Sequence, residues 1–333
     1  MKRRATIRDV AIEAKVSITT VSHVLNGKGR SSEETRKLVL SAAKKVGYGA
    51  DPIARSLRTG QTGVLGIIFR PSDAVSGSMN GTEYHIRVAG GAAAAALSNG
   101  YGLLHVPRPM DAARPAFPMD GCVVVAPFRD DVVLEDLLTR GVPVVTSDPD
   151  PGRSNYEWSV RRDDRGGMRQ LLDHLAARGA RRIMLLGGKD ANAWNIDTAA
   201  AYEQWSQEAG HQARTERIKE VLGSEGARAH ADKVFRLKAT PDAIVCATSR
   251  FATGVIQAAT KAGLRVPQDI MVAALSDSEL DRSHTPAITA LDLHGDEMGR
   301  ESVTLLLSRL AGEAAGAAKI VSPTLRIRAS TGG

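Results

Sequence analysis

Two residues, Lys15 and Val16, are all that separates two short apolar-periodic stretches near the start of this chain. In the first, Ile7, Val10, Ala11 and Ala14 share one helical face. Thr6 and Asp9 stand three apart at its start, close to the capping-box pattern with Asp in place of Glu. In the second, Ser17 is a good N-cap, and Val21, Val24 and Leu25 form a stripe to be buried. So short a connection obliges the two helices to turn sharply onto each other. Ser31 and Glu34 repeat the cap-and-acid pairing before a third stretch. Its apolar side runs through Leu38, Val39, Ala42, Ala43 and Val46, and Gly47 can take the left-handed conformation that ends it. Three short helices joined in this way form a helix-turn-helix domain.

On the second helix, Ile18, Thr19, Thr20, Ser22, His23 and Asn26 are left outside. Short hydroxyls and an amide suit phosphate contacts. A histidine can hydrogen-bond a base edge, and the methyl groups of Ile18 and Thr19 can pack on thymine methyls. The alternative, an ordinary surface on a packing helix, fits poorly with the charge. Residues 1–60 carry 13 Lys and Arg against 5 Asp and Glu, a net of +8, whereas the whole chain is +7 and the remaining 273 residues therefore amount to −1. The basicity is concentrated where phosphate binding would need it.

Downstream, Asp51 is an N-cap residue and Pro52 stands at the first helical position, where its missing N–H costs nothing. The helix so opened runs only to Arg58 before Thr59-Gly60-Gln61-Thr62-Gly63 break it. A helix this short is marginal alone, since isolated helices below roughly 12–15 residues are marginal in water. It calls for a partner to fold against. Leu57 beside Arg58, an apolar wedge next to a cation, fits minor-groove insertion at a kinked base step. A plain interdomain linker is the alternative.

Residues 1–60 resemble the headpiece of the lactose-repressor/galactose-repressor (LacI/GalR) family of transcriptional regulators. The pattern Val-Ser-x-x-Thr-Val-Ser-x-Val-Leu-Asn at 16–26 carries the resemblance. With His23 and Ala54-Arg55-Ser56-Leu57, the headpiece is most similar to the purine repressor within that family. The resemblance implies base reading by Ile18, Thr19 and His23, and phosphate contacts from Thr6, Thr20, Ser22, Asn26 and Tyr48. It also implies a minor-groove hinge in which Leu57 of each subunit enters a central C·G step, Ala54 lines the groove and Arg58 lies alongside. One departure is visible: the family usually has Pro-Asn before this helix, and this chain has Ala50-Asp51-Pro52. An acid so close to phosphates weakens the hinge.

The remaining chain of about 270 residues exceeds one small core and suits two α/β subdomains. Strand-like runs at Val64–Phe69, Leu103–Val106, Cys122–Ala126, Val142–Thr146, Arg182–Leu186, Ala243–Cys246 and Ile270–Ala274 alternate with helical stretches. The helices fall roughly at 84–98, 132–140, 164–178, 198–209, 226–237, 251–262 and 295–311. Alternation of this kind means parallel sheets with crossover helices. The resemblance extends more loosely over this region, through Pro241-Asp242-Ala243-Ile244, 262–270 and Met298-Gly299. It implies an α/β periplasmic-binding-protein-like body of two parallel-sheet subdomains, behind an all-α helix-turn-helix headpiece (residues 1–50) and a hinge helix and linker (51–62). In the effector-binding and dimerisation domain, 63–333, the N-subdomain takes about 63–160 plus 292–321. The C-subdomain takes about 161–291 plus 322–333. The three crossings fall near 159–164, 288–293 and 320–324.

An effector would lie between the subdomains, at the C-terminal ends of the strands. The candidate cleft residues are Arg70, Asp148, Arg161, Trp194, Asn195, Thr198, Ser249, Arg250, Ser276 and Asp277. Here the chain departs from the family. The usual cleft Arg is Thr198, and two usual Asp positions are Ser249 and Ser276. Charged groups that grip sugar hydroxyls are thus replaced by short hydroxyls, which argues against a simple sugar as effector. Arg161, Arg162, Arg165 and Arg250 could bind an anion, or be solvated or paired with Asp163 and Asp164. Trp194 could stack on a ligand or cap the apolar end of a helix. Asp164 could serve the crossing or the ligand. Between Val106 and Gly121, four prolines preclude a proper helix where the family has one, so the N-subdomain is expected to be trimmed there.

Met-Lys-Arg-Arg is followed by no apolar signal region, and no run of 18 apolar residues occurs, so a cytoplasmic protein without a membrane span is expected. Cys122 and Cys246 read as small core residues in a reducing compartment. The Ala92–Ala96 run reads as a close-packed, dimeric surface. The eight histidines show no metal spacing, Gly187-Gly188 is too little for a dinucleotide loop, and no Ser/His/Asp set can be argued, so neither a metal, a cofactor nor an enzyme is expected. The leading reading is a homodimeric repressor on a pseudo-palindromic double-stranded operator, controlled by an unidentified small molecule. The alternative keeps the DNA binding but has a degenerate cleft, with control by a protein partner or by abundance. A third reading, an enzyme or transport-type binding protein with an incidental basic head, lacks both a signal peptide and a catalytic constellation.

Overall fold

Residue by residue, the N-terminal helices are built by their caps. The computed structural model describes residues 5–25, 31–48, 61–70, 83–106 and 117–332. These fall into two compact units, Met1–Gly63 and Val64–Gly333. Asn26, the hinge positions Ala54, Leu57 and Arg58, and most of the proline-rich stretch lie outside the described residues. In the first unit the helices are α1 (Ile7–Ala14), α2 (Ile18–Leu25) and α3 (Glu33–Val46). The Asp9 carboxylate accepts from both the backbone N–H and the hydroxyl of Thr6, at 2.7 Å each. Lys15, at φ 53°, makes the sharp turn in the left-handed region, and the N–H of Val16 donates back to the carbonyl of Ala11 at 3.1 Å. Ser17 then caps α2, its hydroxyl accepting from the N–H of Thr20 at 3.0 Å. Val10, Ala14, Val21 and Val39 close the small core between the helices.

Two expectations at α3 are corrected. The cap is Ser32, which accepts from the N–H of Thr35 at 3.2 Å, so Ser31 and Glu34 are not the capping pair. Leu38 is 50% exposed: Val39, Ala42 and Ala43 suffice to close so small a core, and Leu38 is left at its edge. Gly47 ends the helix at φ 66°, as its residue type predicts.

The second unit holds two six-stranded sheets. The first is built from β1 (Val64–Phe69), β2 (Gly102–His105), β3 (Gly121–Val125), β4 (Val144–Ser147), β5 (Ser159–Arg162) and β11 (Ile320–Val321). Its order is β11-β5-β4-β3-β1-β2, every pair parallel. The second is built from β6 (Ile183–Gly188), β7 (Thr215–Ile218), β8 (Ala243–Cys246), β9 (Met271–Ala274), β10 (Thr289–Asp292) and β12 (Thr324–Arg326). Its order is β12-β10-β9-β8-β6-β7, parallel except at the β10–β12 edge. Helices α4 (Glu83–Ser98), α5 (Val132–Thr139) and α11 (Gly295–Leu310) serve the first sheet. Helices α6 (Asp164–Ala177), α7 (Ala193–Glu208), α8 (Gly223–Val234), α9 (Ser249–Lys261) and α10 (Glu279–Ser283) serve the second. The chain thus passes between lobes after β5, after β10 and between β11 and β12, as in an α/β periplasmic-binding-protein-like body.

Within the Ala92–Ala96 run, Ala92 and Ala96 turn inward, buried against α11, and Ala94 is exposed. A Cβ on Gly91 would lie 2.0 Å from the carbonyl oxygen of Asp296, and one on Gly299 2.0 Å from that of Val88. The small residues therefore serve a close helix–helix contact within the chain, while Ile86 and Leu97 face outward. Cys122 and Cys246 are buried free thiols. Among the described residues no helix is long and apolar enough to cross a membrane.

Candidate nucleic-acid interface and effector cleft

The apolar stripe of α2, behind its Ser17 cap, decides which of its side chains point away from the core. Val21 and Val24 are buried, so Ile18, Thr19 and His23 are exposed on the opposite side, with Ser22 between them half-buried. Ile18, an apolar residue, is 44% exposed. Thr20 is partly engaged, its hydroxyl 2.8 Å from that of Ser17. Thr6 donates its hydroxyl proton to Asp9 and keeps its lone pairs. Tyr48 packs against the headpiece core, its N–H bonded to the Ala43 carbonyl at 2.9 Å.

In the body, the C-terminal ends of the strands of both sheets converge on one small void. From the first lobe come Ala126 after β3, Asp148 after β4, Arg162 at the end of β5, and Tyr84 and His85 at the start of α4. From the second come Asp190, Asn192 and Trp194 after β6, Glu220 after β7, Thr248 after β8, Ser276 after β9 and Leu293 after β10. The crevice beyond the carboxyl ends of parallel strands is where open α/β sheets bind ligands. Ala126 at φ 49° and Asp148 at φ 72° both leave their strands in the left-handed region, a strained conformation that turns them toward the void.

Arg162 is the electrostatic centre of this site. Its Nε donates to Asp164 at 2.5 Å and one terminal nitrogen donates to Asp164 at 3.1 Å and lies 3.3 Å from Asp148. The other terminal nitrogen donates to the Tyr84 hydroxyl at 2.6 Å. The guanidinium lies 5.2 Å from the ring centre of Tyr84 and 6.0 Å from that of Trp194. Burial raises the Asp148 carboxyl to about 6 against the pull of Arg162. Burial likewise pushes the Tyr84 hydroxyl up. Glu220 is tied down by the N–H groups of Lys189 and Asp190, at 3.1 Å each, and by the Asn195 amide at 2.7 Å.

Of the residues expected in the cleft, Asp148, Trp194 and Ser276 border the void. Arg161 borders the adjoining opening with Asp163, Arg165 and Asp197. Asn195 stands behind Glu220 rather than in the void, and Thr198 donates to the Trp194 carbonyl at 2.6 Å. Ser249 donates toward Asp281 at 2.5 Å and the Ser276 carbonyl at 3.0 Å. Asp277 pairs with Arg328 at 2.9 Å and Arg282 at 3.3 Å. Arg70 pairs with Asp131 at 2.7 Å and stacks on Phe128, while Arg250 lies beside Gly223. Tyr84, His85, Asn192, Glu220 and Thr248 escaped sequence reasoning. They sit at loop and helix starts, where no periodicity marks them; the only signal was their place just after strand-like runs.

Residues 6–51 match the family described as bacterial regulatory proteins, lacI family. Residues 172–331 match a periplasmic binding protein-like domain. The chain is 30% identical over 318 residues to the HTH-type transcriptional repressor PurR of Serratia proteamaculans, covering 92% of this chain and 90% of that one. Its counterpart in Haemophilus influenzae is 28% identical and is covered over 98% of each chain. Among solved structures, the lac repressor dimer bound to operator and the anti-inducer ONPF superposes with a TM-score of 0.82 at 23% identity, over 99% of each chain. The transcriptional regulator CelR–cellobiose complex superposes with a TM-score of 0.72 at 22% identity, over 98% of this chain and 100% of that one. The chain belongs to the lacI family of bacterial regulatory proteins: a DNA-binding transcription regulator, not an enzyme, with a helix-turn-helix headpiece and a periplasmic-binding-protein-like body.

Proposed function

We propose that this regulator is a homodimeric repressor that reads a pseudo-palindromic operator in the cytoplasm and is controlled by a small molecule held between the lobes of its body. The observation that carries the DNA reading is the outward face of α2, where Ile18, Thr19 and His23 stand exposed on a capped helix within a segment of net charge +8. Ile18, Thr19 and His23 read base edges in the major groove, and Thr6, Thr20, Ser22, Asn26 and Tyr48 hold phosphates. Ala54, Leu57 and Arg58 take the central minor groove. The effector lies against Asp148, Trp194 and Ser276, with Arg161 at the neighbouring opening. Arg70, Asn195, Thr198, Ser249, Arg250 and Asp277 act behind that surface. The relatives' names support repression, and the solved structure of a repressor dimer on its operator supports a two-fold arrangement.

Selection from randomised duplexes with ligand-free full-length protein, at fixed salt, tests this. A palindrome with a central C·G step is expected, and its recovery makes any effector an inducer. Binding that is only salt-sensitive and non-specific overturns ligand-free repression. Leu57→Ala should leave dimerisation intact and cost operator affinity at least tenfold; unchanged affinity removes the wedge. The modest size of the void, about 60 Å³, favours a second reading in which the cleft takes no ligand and a protein partner or abundance controls the repressor.

A further inference from the structure

The charges around the void narrow what it can hold. Among the described residues Arg162 is the only lysine or arginine that borders it, and all three of its nitrogens are engaged with Asp164, Asp148 and Tyr84. An anion would find no uncommitted guanidinium there. Three carboxylates, Asp148, Asp190 and Glu220, border the same space. The lining therefore carries two more negative charges than positive ones. Glu220 has both oxygens satisfied.

Asp148 differs from Glu220. It is 3% exposed, one oxygen lies 3.3 Å from Arg162, and the other, Oδ1, has no hydrogen-bond donor among the described residues. A buried carboxylate oxygen left without a donor is costly, and an incoming N–H removes that cost. The groups facing Asp148 are Arg162 on β5, Asp164 on α6, Asp197 on α7 and Tyr84 on α4, with His85 also on the void. On the void side acids outnumber the single guanidinium; the adjoining opening, which Asp148 also lines, adds Arg161 and Arg165, the latter paired with Asp197 at 3.2 Å. The aromatic rings of Tyr84 and Trp194, which already face a cation in Arg162, add the electron-rich surfaces that organic cations favour. The void of about 60 Å³ admits a head group of only a few heavy atoms, well short of the roughly 150 Å³ that accommodates benzene.

We infer that the ligand of this cleft is a small organic cation, a protonated amine or amidine, whose N–H donates to Asp148 Oδ1 between the two lobes. This rests on the reading of the cleft as a small-molecule site. A neutral polyol could supply a hydrogen bond but no charge, and an anion would meet a negative lining.

The test is thermal melting of the full-length protein with three size-matched probes, ethanolamine, ethylene glycol and glycolate, at equal ionic strength. Ethanolamine at about ten times its Kd should raise the midpoint by roughly 3 °C, and the other two should not. Asp148→Asn should abolish the shift. Calorimetry on the wild type in two buffers keeps the test valid should that variant fold poorly. A cation bound beside Asp148 should release protons near pH 6 and few at pH 8, whereas an anion there should take protons up. A shift with ethylene glycol or glycolate and none with ethanolamine overturns the cation but leaves the cleft as a ligand site. Silence from all three overturns both. An ethanolamine shift that survives unchanged in Asp148→Asn overturns the assignment to this carboxylate.

Discussion

Asp281 is one buried side chain on which the pH response of the body depends, alongside Asp148. It is fully buried, and it accepts from the Ser278 N–H at 2.8 Å, the Ser278 hydroxyl at 3.0 Å and the Ser249 hydroxyl at 2.5 Å. Burial raises its carboxyl to about 7 even against these bonds. A carboxyl raised in the folded state binds more protons folded than unfolded. Its contribution is complete below the unfolded value near 4, shrinks as pH rises toward about 7, and is gone above that. Asp281→Asn should therefore flatten the fall in stability between pH 4 and 7, by up to ~1.4 kcal/mol per pH unit. His174 and His230, which burial holds below their usual value, tilt stability the other way. Comparing denaturation midpoints of variant and wild type at each pH cancels their effect, and identical slopes would refute the role of Asp281. The sequence placed Ser249 in the cleft as a shortened anchor. Its bond to Asp281 could not be foreseen, because Asp281 sits 32 residues away in a short helix with no periodic signature. His23 is a different case, its exposure legible from the stripe of Val21 and Val24 alone. Replacing it with Ala should change the preferred base in duplex selection; an equal loss on all sequences would make it a phosphate contact.

Whole elements were readable where they were long and repetitive. Val64–Phe69 and Ala243–Cys246 form strands with the expected bounds, and α4, α5, α6 and α11 begin and end within a residue or so of where their apolar spacing ends. The strands that escaped notice are short or polar: Ser-Val-Arg-Arg in β5, Thr-Glu-Arg-Ile in β7, Thr-Ala-Leu-Asp in β10, and the two- and three-residue edges β11 and β12. Their pairing comes from neighbours distant in sequence, which a local pattern does not contain. Helix α7 starts five residues before the expected 198, because Asn192 caps it through the N–H of Asn195 at 3.0 Å. The α4–α11 contact yields a prediction of its own. An added methyl at Gly299 would meet the Val88 carbonyl oxygen at 2.0 Å and the Ala92 nitrogen at 2.7 Å, both backbone atoms that cannot rotate aside. Gly299→Ala should cost at least ~1–3 kcal/mol and lower the melting midpoint by several degrees. A midpoint within one degree of wild type would mean that the helices separate freely.

At the scale of the whole molecule, the uneven charge was visible in composition, whereas the cleft was not, because it is assembled from the ends of strands in two sheets. The two lobes of the body are also fastened across that cleft. Arg282 on α10 donates to both oxygens of Glu83 on α4 at 2.9 Å, and the N–H of Glu279 donates to Glu83 at 2.6 Å. On the other rim, the N–H of Arg129 donates to the Ala191 carbonyl at 2.7 Å beside a Phe128–Asn192 bridge. None of these residues except Asn192 borders the void, so the clasp can be weakened without touching the ligand surface. Arg282 is 44% exposed, which limits its ion pair with Glu83 to the ~0.2–1 kcal/mol of solvent-screened pairs. A ligand that needs the closed form is weakened in proportion to the closed population lost. Glu83→Gln should therefore raise the Kd for ethanolamine by up to about fivefold, with Asp148 and Trp194 unaltered, and should enlarge the radius of gyration measured by small-angle scattering. An affinity and a radius both equal to the wild type would show that the Glu83 ion pair does not help to hold the lobes closed, leaving contacts such as those at the Arg129 rim and Arg87–Asp292 at 2.9 Å.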